Sequence, residues 1–329
     1  MLSAFKRFRR AAGALGLALM LCGGQASAEP GVLRVATLKF GTVNWLISTI
    51  VENGLDRKEG YRLETLALAG NQATALAFQS GEVDLFVTDW IWSQRRRDKG
   101  DDLRFAAYSR SLGAIMTMGG VADLCDLRGK RIGVVGGDFD KSWLAYRALA
   151  KRHCGFDLGD EAEALFGAPP LLARQLLTGA VDAVSTYWNW AAKLEAAGAT
   201  RQIGADEAMA ALGIDPPPPL IGFVWDAART EAAMAAAFLR SVDAAQEILL
   251  SSDAEWERLR PDMGAETDAE FTALRDRFRE GVADTRWTPA FMESAAALHA
   301  MLVEAAGPAF ATEGGRLDPA GFAPPADGE

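Results

Sequence analysis

Residues 81–92 read GEVDLFVTDWIW, and residues 179–190 read GAVDAVSTYWNW. A shift of 98 positions lays one on the other with six identities in twelve: Gly81 on Gly179, Val83 on Val181, Asp84 on Asp182, Thr88 on Thr186, Trp90 on Trp188 and Trp92 on Trp190. The same shift lays Trp45 on Trp143 and Leu46 on Leu144. A period this long is not that of a solenoid, whose units run to about 50 residues at most. It fits a duplicated α/β half, two copies of one layout facing each other.

Outward from these stretches, each copy reads the same way. In the first, VLRVATL at 32–38 is a buried strand, Gly41 allows a turn, and Thr42 or Asn44 can cap a helix bearing Trp45, Leu46, Ile47 and Ile50. A strand over Tyr61–Leu68, a helix opened by Gly70-Asn71 and a strand over Val83–Thr88 follow. In the second, strands over Arg131–Val135, Ala164–Phe166 and Val181–Ser185 alternate with helices over Trp143–Ala150 and Pro169–Leu177. β-α-β-α-β predicts a parallel sheet with covering helices, so the fold class is α/β with two lobes. The run Arg95–Asp102 reads as a solvated turn, and the two apolar runs in Phe105–Met118 as strands leaving the first lobe. DPPPP at 215–219 breaks regular structure before a strand over Leu220–Trp225, and from Glu231 the chain reads as helical. The domains expected are 29–118 with 220–311 as lobe 1 and its C-terminal helices, 119–219 as lobe 2, and 312–329 as a frayed tail.

The chain has 329 residues, half of them hydrophobic, enough for a large core or two medium ones. Residues 1–28 read as a secretory signal: a basic start (Lys6, Arg7, Arg9, Arg10), an apolar run over Ala11–Cys22 and Ala26-Ser27-Ala28 before Glu29. Leu21 is bulky where lipoprotein processing at Cys22 needs a small residue, so no lipid anchor is expected. The segment carries four positive charges and no negative one, so without it the net charge of −10 becomes −14. That surface argues against nucleic acid and anionic membranes. His153 and His299 are the only histidines, and no His/Cys cluster has zinc-ligand spacing, so neither a metal site nor a cofactor is expected.

The order of these pieces resembles the periplasmic substrate-binding proteins of ATP-driven (ABC) importers, in the branch for taurine, alkanesulfonates, nitrate and thiamine precursors. The resemblance is carried by the Gly41 turn, ALAFQSGEVDLFVTD at 75–89, DLRGKRIGVVGG at 126–137 and LLARQLLTGAVDAVSTYW at 171–188, and covers roughly residues 31–250. It implies a type II periplasmic-binding fold, two lobes hinged around a cleft, in a monomer that works in the periplasm with an ABC permease and ATPase. Two relatives of the same fold offer other functions, a sensor subunit docking on a receptor and a biosynthetic enzyme. The cysteine-rich run of the pyrimidine synthases is absent, and no nucleophile–base motif is present, so no catalytic residue is expected.

In open parallel sheets, ligands bind beyond the carboxyl ends of the strands, beside helix N-termini. The residues there are Lys39, Thr42, Trp45, Asn71, Asp89, Trp90, Asp138, Asp140, Trp143, Tyr187 and Trp188, which form the candidate ligand set. Trp45 and Trp143 serve equally well as core, one residue of each Trp-x-Trp pair should point inward, and Asp138 or Asp140 could simply cap a helix. Asp84 and Asp182 read as structural hydrogen-bond partners at strand ends. Carboxylates beside two helix starts sit poorly with an anion site, so a sulfonate, an amine-bearing or heteroaromatic molecule and a metal cation all stay open as ligands.

Cys125 and Cys154, exported together, predict a disulfide. From Cys125 the strand and its turn run out by ~20 Å at ~3.3 Å per residue. The helix from about Lys141 to His153 comes back by ~20 Å at ~1.5 Å per residue, which returns Cys154 to the strand's start. Mass spectrometry of the exported protein is expected to find Glu29 as its first residue. An intact Met1 or a lipid on Cys22 would contradict the export reading.

Overall fold

The computed structural model describes residues 30–282, 285, 287–307, 310 and 317–322. The expected signal and its cleavage point lie outside them. The first copy forms strand β1 (Gly31–Leu38), helices α1 (Val43–Glu52) and α2 (Leu55–Lys58), β2 (Tyr61–Leu68), α3 (Asn71–Gln79), β3 (Leu85–Asp89), α4 (Trp90–Arg97) and β4 (Leu103–Ser109). The second forms β5 (Ala114–Thr117), β6 (Arg131–Val134), α5 (Lys141–Cys154), α6 (Leu158–Glu161), β7 (Glu163–Phe166), α7 (Pro169–Leu177), β8 (Ala183–Thr186), α8 (Trp188–Ala196), β9 (Thr200–Gly204) and α9 (Ala205–Ala211). After β10 (Ile221–Asp226) come α10 (Ala232–Ser251), α11 (Asp253–Met263), α12 (Asp268–Val282) and α13 (Pro289–Ala306). The two-lobed α/β class expected from the sequence is the one adopted. No helix among the described residues is long and apolar enough to cross a membrane.

The two sheets have matching strand orders, β2-β1-β3-β10-β4 and β7-β6-β8-β5-β9. The first three strands of each run parallel, and β10 and β5 insert antiparallel beside β3 and β8. The chain therefore passes between the sheets twice, at 110–113 and at 212–220. At the first passage, a Cβ on Gly113 would lie 2.1 Å from the carbonyl oxygen of Thr186, so only glycine lets the two backbones approach this closely. The Tyr146 hydroxyl donates to the Gly113 carbonyl at 3.1 Å and holds this passage to α5.

The duplication extends to single contacts. Asp84 accepts hydrogen bonds from the backbone N–H, Nε and Nη2 of Arg34 at 2.8, 3.1 and 2.9 Å. Asp182 accepts from the same three atoms of Arg131 at 2.9, 3.2 and 3.0 Å. Each aspartate also donates its own N–H to its arginine's carbonyl at 2.9 Å. These are the structural roles the sequence suggests for the pair. Gly81 and Gly179 both take positive φ, 79° and 74°, to turn the chain from helix into strand.

One face of the first sheet packs Leu33 and Val35 against α1, α10, α11 and α12. The other face, with Ala36 and Phe86, belongs to a core that continues through α13 into α5 and the second sheet. Helices α10 and α11 lie on α1, while α12 lies on α8 and α13 on α5. The C-terminal helices thus span both halves instead of extending one of them. The charged run 95–102 is less solvated than expected: it begins as the last turn of α4, and the Arg97 side chain is only 13% exposed. Within the stretch expected to fray, residues 317–322 are packed, with Gly321 buried.

Cys125 and Cys154 are joined as the sequence predicts, their Cα atoms 5.4 Å apart. The bridge ties the 3₁₀ turn Leu124–Leu127 to the end of α5. Replacing both cysteines by serine is expected to lower unfolding stability by roughly 3–4 kcal/mol, the value for a closed loop of this size in the chain-entropy model. Urea unfolding of the Cys125→Ser/Cys154→Ser protein against the oxidised parent checks this, and equal midpoints would show the bridge to be energetically idle.

Candidate functional site

The repeat decides where helix N-termini fall. Thr42 and Asp140 precede α1 and α5 at the repeat spacing of 98, and Asp89 and Tyr187 precede α4 and α8 at the same spacing. Across the gap between the halves, unlike partners meet. Helix α4 meets α5 through an ion pair, Lys141 Nζ to Asp89 Oδ2 at 2.7 Å. Helix α1 meets α8 through Trp45 and Trp188, edge to face with centroids 5.9 Å apart. The two contacts are related by the approximate two-fold of the repeat, one charged and one aromatic.

The charged contact is built by caps. Asp89 Oδ1 accepts the Trp92 N–H at 2.9 Å and closes the start of α4. Asp140 Oδ1 accepts the Trp143 N–H at 3.1 Å and closes the start of α5. Thr42 and Tyr187 make no side-chain cap bond; at α1 the Asn44 and Trp45 amides donate to the Gly41 and Thr42 carbonyls instead, and at α8 the Trp190 amide donates to the Tyr187 carbonyl. Burial works against the charge on Lys141, and Asp89 more than offsets it, leaving the amine above the ordinary lysine range. Burial raises the Asp140 carboxyl above its ordinary range, against the pull of its own cap bond and of Lys141. The Tyr187 hydroxyl is pushed up to about 12 by burial and by Asp140.

Beside the ion pair lies a cavity of about 290 Å³, lined by Asp89, Ile91, Trp92 and Arg95 from the first half, Phe139 and Lys141 from the second, and Phe310 from the C-terminal region. Lys141 also stands over the Phe310 ring, 5.8 Å from its centroid. The lining therefore offers three aromatic surfaces, a neutralised ion pair and, in Arg95, a further cation.

The candidate residues fall into groups. Asp89 lines the cavity, and Asp140 flanks it as the cap of α5. Trp45 is buried among Trp188, Trp256 and Phe278, and Trp188 is half-buried against it. Trp143 is fully buried. Trp90 is buried against Trp287 and Phe322, with centroids at 6.3 and 6.4 Å, while Trp92 lines the cavity. Both Trp-x-Trp pairs begin helices, where residues two apart point about 200° from one another; in the first pair Trp90 turns inward, while Trp188 and Trp190 are both half-buried, packed on different cores. Tyr187 is half-buried; Thr42 is buried at the start of α1. Lys39 is exposed over the Phe40 ring, Asn71 is exposed at the start of α3, and Asp138 is exposed and paired with Arg147. The structure does not gather these last three with the ion pair. Phe139 and Lys141 flank Asp140 in sequence and could have been read with it. Phe310 comes from far along the chain, and no local pattern marks it.

The model of the NMT1/THI5-like family matches residues 51–252. Comparison with curated proteins gives no match. Among solved structures, the fold is similar to the alkanesulfonate-binding protein SsuA from Xanthomonas axonopodis pv. citri bound to MOPS, at 16% identity and TM-score 0.67 over 90% of this chain and 100% of that one. It is similar to the periplasmic aliphatic sulphonate binding protein SsuA from Escherichia coli, at 16% identity and TM-score 0.65 over 83% and 86%. It is also similar to the desulfurization enzyme DSZB, at 16% identity and TM-score 0.56 over 85% and 96%. At such identities the likeness is one of fold.

Asp89 and Lys141 are expected to be energetically coupled. A double-mutant cycle with Asp89→Asn and Lys141→Met should give an interaction energy of about 0.5–3 kcal/mol in chemical unfolding, the range for residues in contact or in one salt-bridge network. Additive single effects would mean that the halves do not meet through this pair.

Proposed function

The chain belongs to the NMT1/THI5-like family, and from that footing we propose that it is the periplasmic solute-binding subunit of an ABC importer, capturing a small molecule between its two lobes and delivering it to a permease and ATPase. The observation that carries this reading is the cavity at the Asp89–Lys141 pair, walled from both halves. On this reading the lobes are residues 29–118 with 220–311, and 119–219. The type II fold of the sulfonate-binding SsuA proteins is consistent with it.

The chemistry of the walls narrows the ligand. Asp89 and Asp140 each take an opening amide of α4 and α5 and place a carboxylate there, so those two helix ends favour an anion less than free ones would. An acidic group would instead be met by Lys141 or Arg95, and a basic group by Asp89. Trp92, Phe139 and Phe310 suit a flat or apolar body. We therefore read the ligand as a small organic molecule with such a body and a polar group that engages one partner of the ion pair.

The test is to denature the exported protein, identify released small molecules by mass spectrometry, and follow its melting with sulfonates, pyrimidines, amines and metal salts. One class is expected to raise the melting temperature, by an amount equivalent to about 2.7 kcal/mol at a hundredfold excess over its dissociation constant; Lys141→Met should abolish the gain for an acidic ligand and Asp89→Asn for a basic one. No shift with any class, or recovery of a chemically altered ligand, would overturn the reading.

A further inference from the structure

The charged contact between the halves depends on where α4 sits; one side of α4 rests on β3, β10 and β4, with Trp92 against Phe78 and Phe86. The helix is eight residues long, Trp90–Arg97, and its second half reads Gln-Arg-Arg-Arg. A helix of two turns does not persist on its own in water. Only Trp90 and Ile91 give it large buried apolar side chains. What grips its flank is a short piece of chain from the far C-terminal end.

Residues 317–322 run past α4 and along the free edge of the first sheet. The Asp318 N–H donates to Gln94 Oε1 at 3.0 Å. Arg97 Nη2 donates to Asp318 Oδ2, while Arg97 Nη1 donates to the Leu103 carbonyl at 2.7 Å. Asp318 Oδ1 accepts the Ala320 N–H at 3.0 Å, which starts the turn Pro319–Gly321. Gly321 is buried, and a Cβ there would meet the Arg97 side chain at 2.9 Å. Phe322 bridges to Phe105 on the outermost strand β4. Its ring lies 4.1 Å from that of Trp287, 5.9 Å from that of Phe105 and 6.4 Å from that of Trp90.

Trp90, Gln94 and Arg97 are spaced four and three apart, on one face of α4. The segment takes hold of all three. On the end of the same helix, Asp89 binds Lys141 of the other half. The repeat shows what the segment changes. Trp188, the counterpart of Trp90, is half-buried and reaches across to Trp45, whereas Trp90 is 1% exposed and enclosed by Trp287 and Phe322. Among the described residues, no such segment lies beside α8 in the second half; α12 lies there instead.

We propose that Asp318–Phe322 is a positioning strap, which fixes α4 so that Asp89 meets Lys141 and thereby holds the two halves together at the cavity. Asp318 and Phe322 act through Gln94, Arg97 and Trp90 and touch none of the cavity themselves. The proposal goes beyond the solute-binding reading, and its test uses no ligand, so the two can fail separately.

The experiment measures how fast a water-soluble acylating ester modifies Lys141 in the full-length protein, by peptide mass spectrometry, together with amide hydrogen exchange. Asp89→Asn sets the value for an unpaired Lys141. In Asp318→Ala and Phe322→Ala, acylation of Lys141 and exchange of the Trp92 amide should rise about tenfold, as for loss of one charged hydrogen bond at the lower end of its usual strength. Protection in β7 and α7, distant in the second half, should stay at the parent value. Phe322→Leu, which keeps an apolar side chain on Trp90, should fall between, and it serves with Asp318→Asn if the alanine variants fold poorly. Parent-like acylation of Lys141 in all the strap variants would overturn the proposal. So would an equal loss of protection in both halves, since that is the behaviour of a segment that only adds stability.

Discussion

In each sheet an aspartate just before the third strand takes three hydrogen bonds from the arginine at the first strand, and the rest of the half is arranged from that point. The grip sets the register of β1 against β3 and of β6 against β8. Register is not a free choice in a half-buried strand, because a slip of one residue exchanges its inner and outer faces. With register set, the strands end at matching levels, and the helices that follow start at matching places. Two pairs of helix ends then oppose each other across the gap because two such halves have been folded face to face. The grips are modest individually, since the arginines are partly exposed. Their effect is geometric.

The duplication supplies symmetry, and the side chains break it. At the start of α1 and α8 stand Thr42 and Tyr187, uncapped, with tryptophans touching. At the start of α4 and α5 stand Asp89 and Asp140, each closing its helix, with Lys141 between the halves. A near-symmetric frame thus carries a polarised interior, apolar on one side and ionic on the other. An ion pair removed from water yields little net stability, because desolvation offsets attraction, yet losing one partner is costly.

Much of this frame was legible in the sequence because it rests on local patterns. The alternation of strand and helix, the glycines at 81 and 179, a cap at Asp138 or Asp140, and the Cys125–Cys154 bridge all follow from neighbours in the chain or from simple path lengths. Asp89, which caps α4, reads instead as a cleft residue. The structural roles of Asp84 and Asp182 could be anticipated from their matched positions. What escaped is what depends on distant segments. Trp90 looks like a cleft residue until Trp287 and Phe322 arrive beside it. Phe310 enters the cavity from beyond the last long helix. Strand β9 and helix α9, at Thr200–Ala211, went unread because their apolar residues are few and their pairing with β5 is set by the partner strand.

The exchange of strands between the sheets has a consequence for how the chain is finished. β10 sits between β3 and β4, so before it arrives β3 lacks its outer neighbour and β4 has no strand partner at all. The residues that complete the first sheet are made only after the whole second sheet. The second sheet has no such debt: β5 to β9 are contiguous in the chain. A growing or translocating chain can therefore complete its second half while its first still shows an open edge, a template for pairing with other chains. The half that begins the chain is the one that closes last, and only the second half is encoded as one uninterrupted piece.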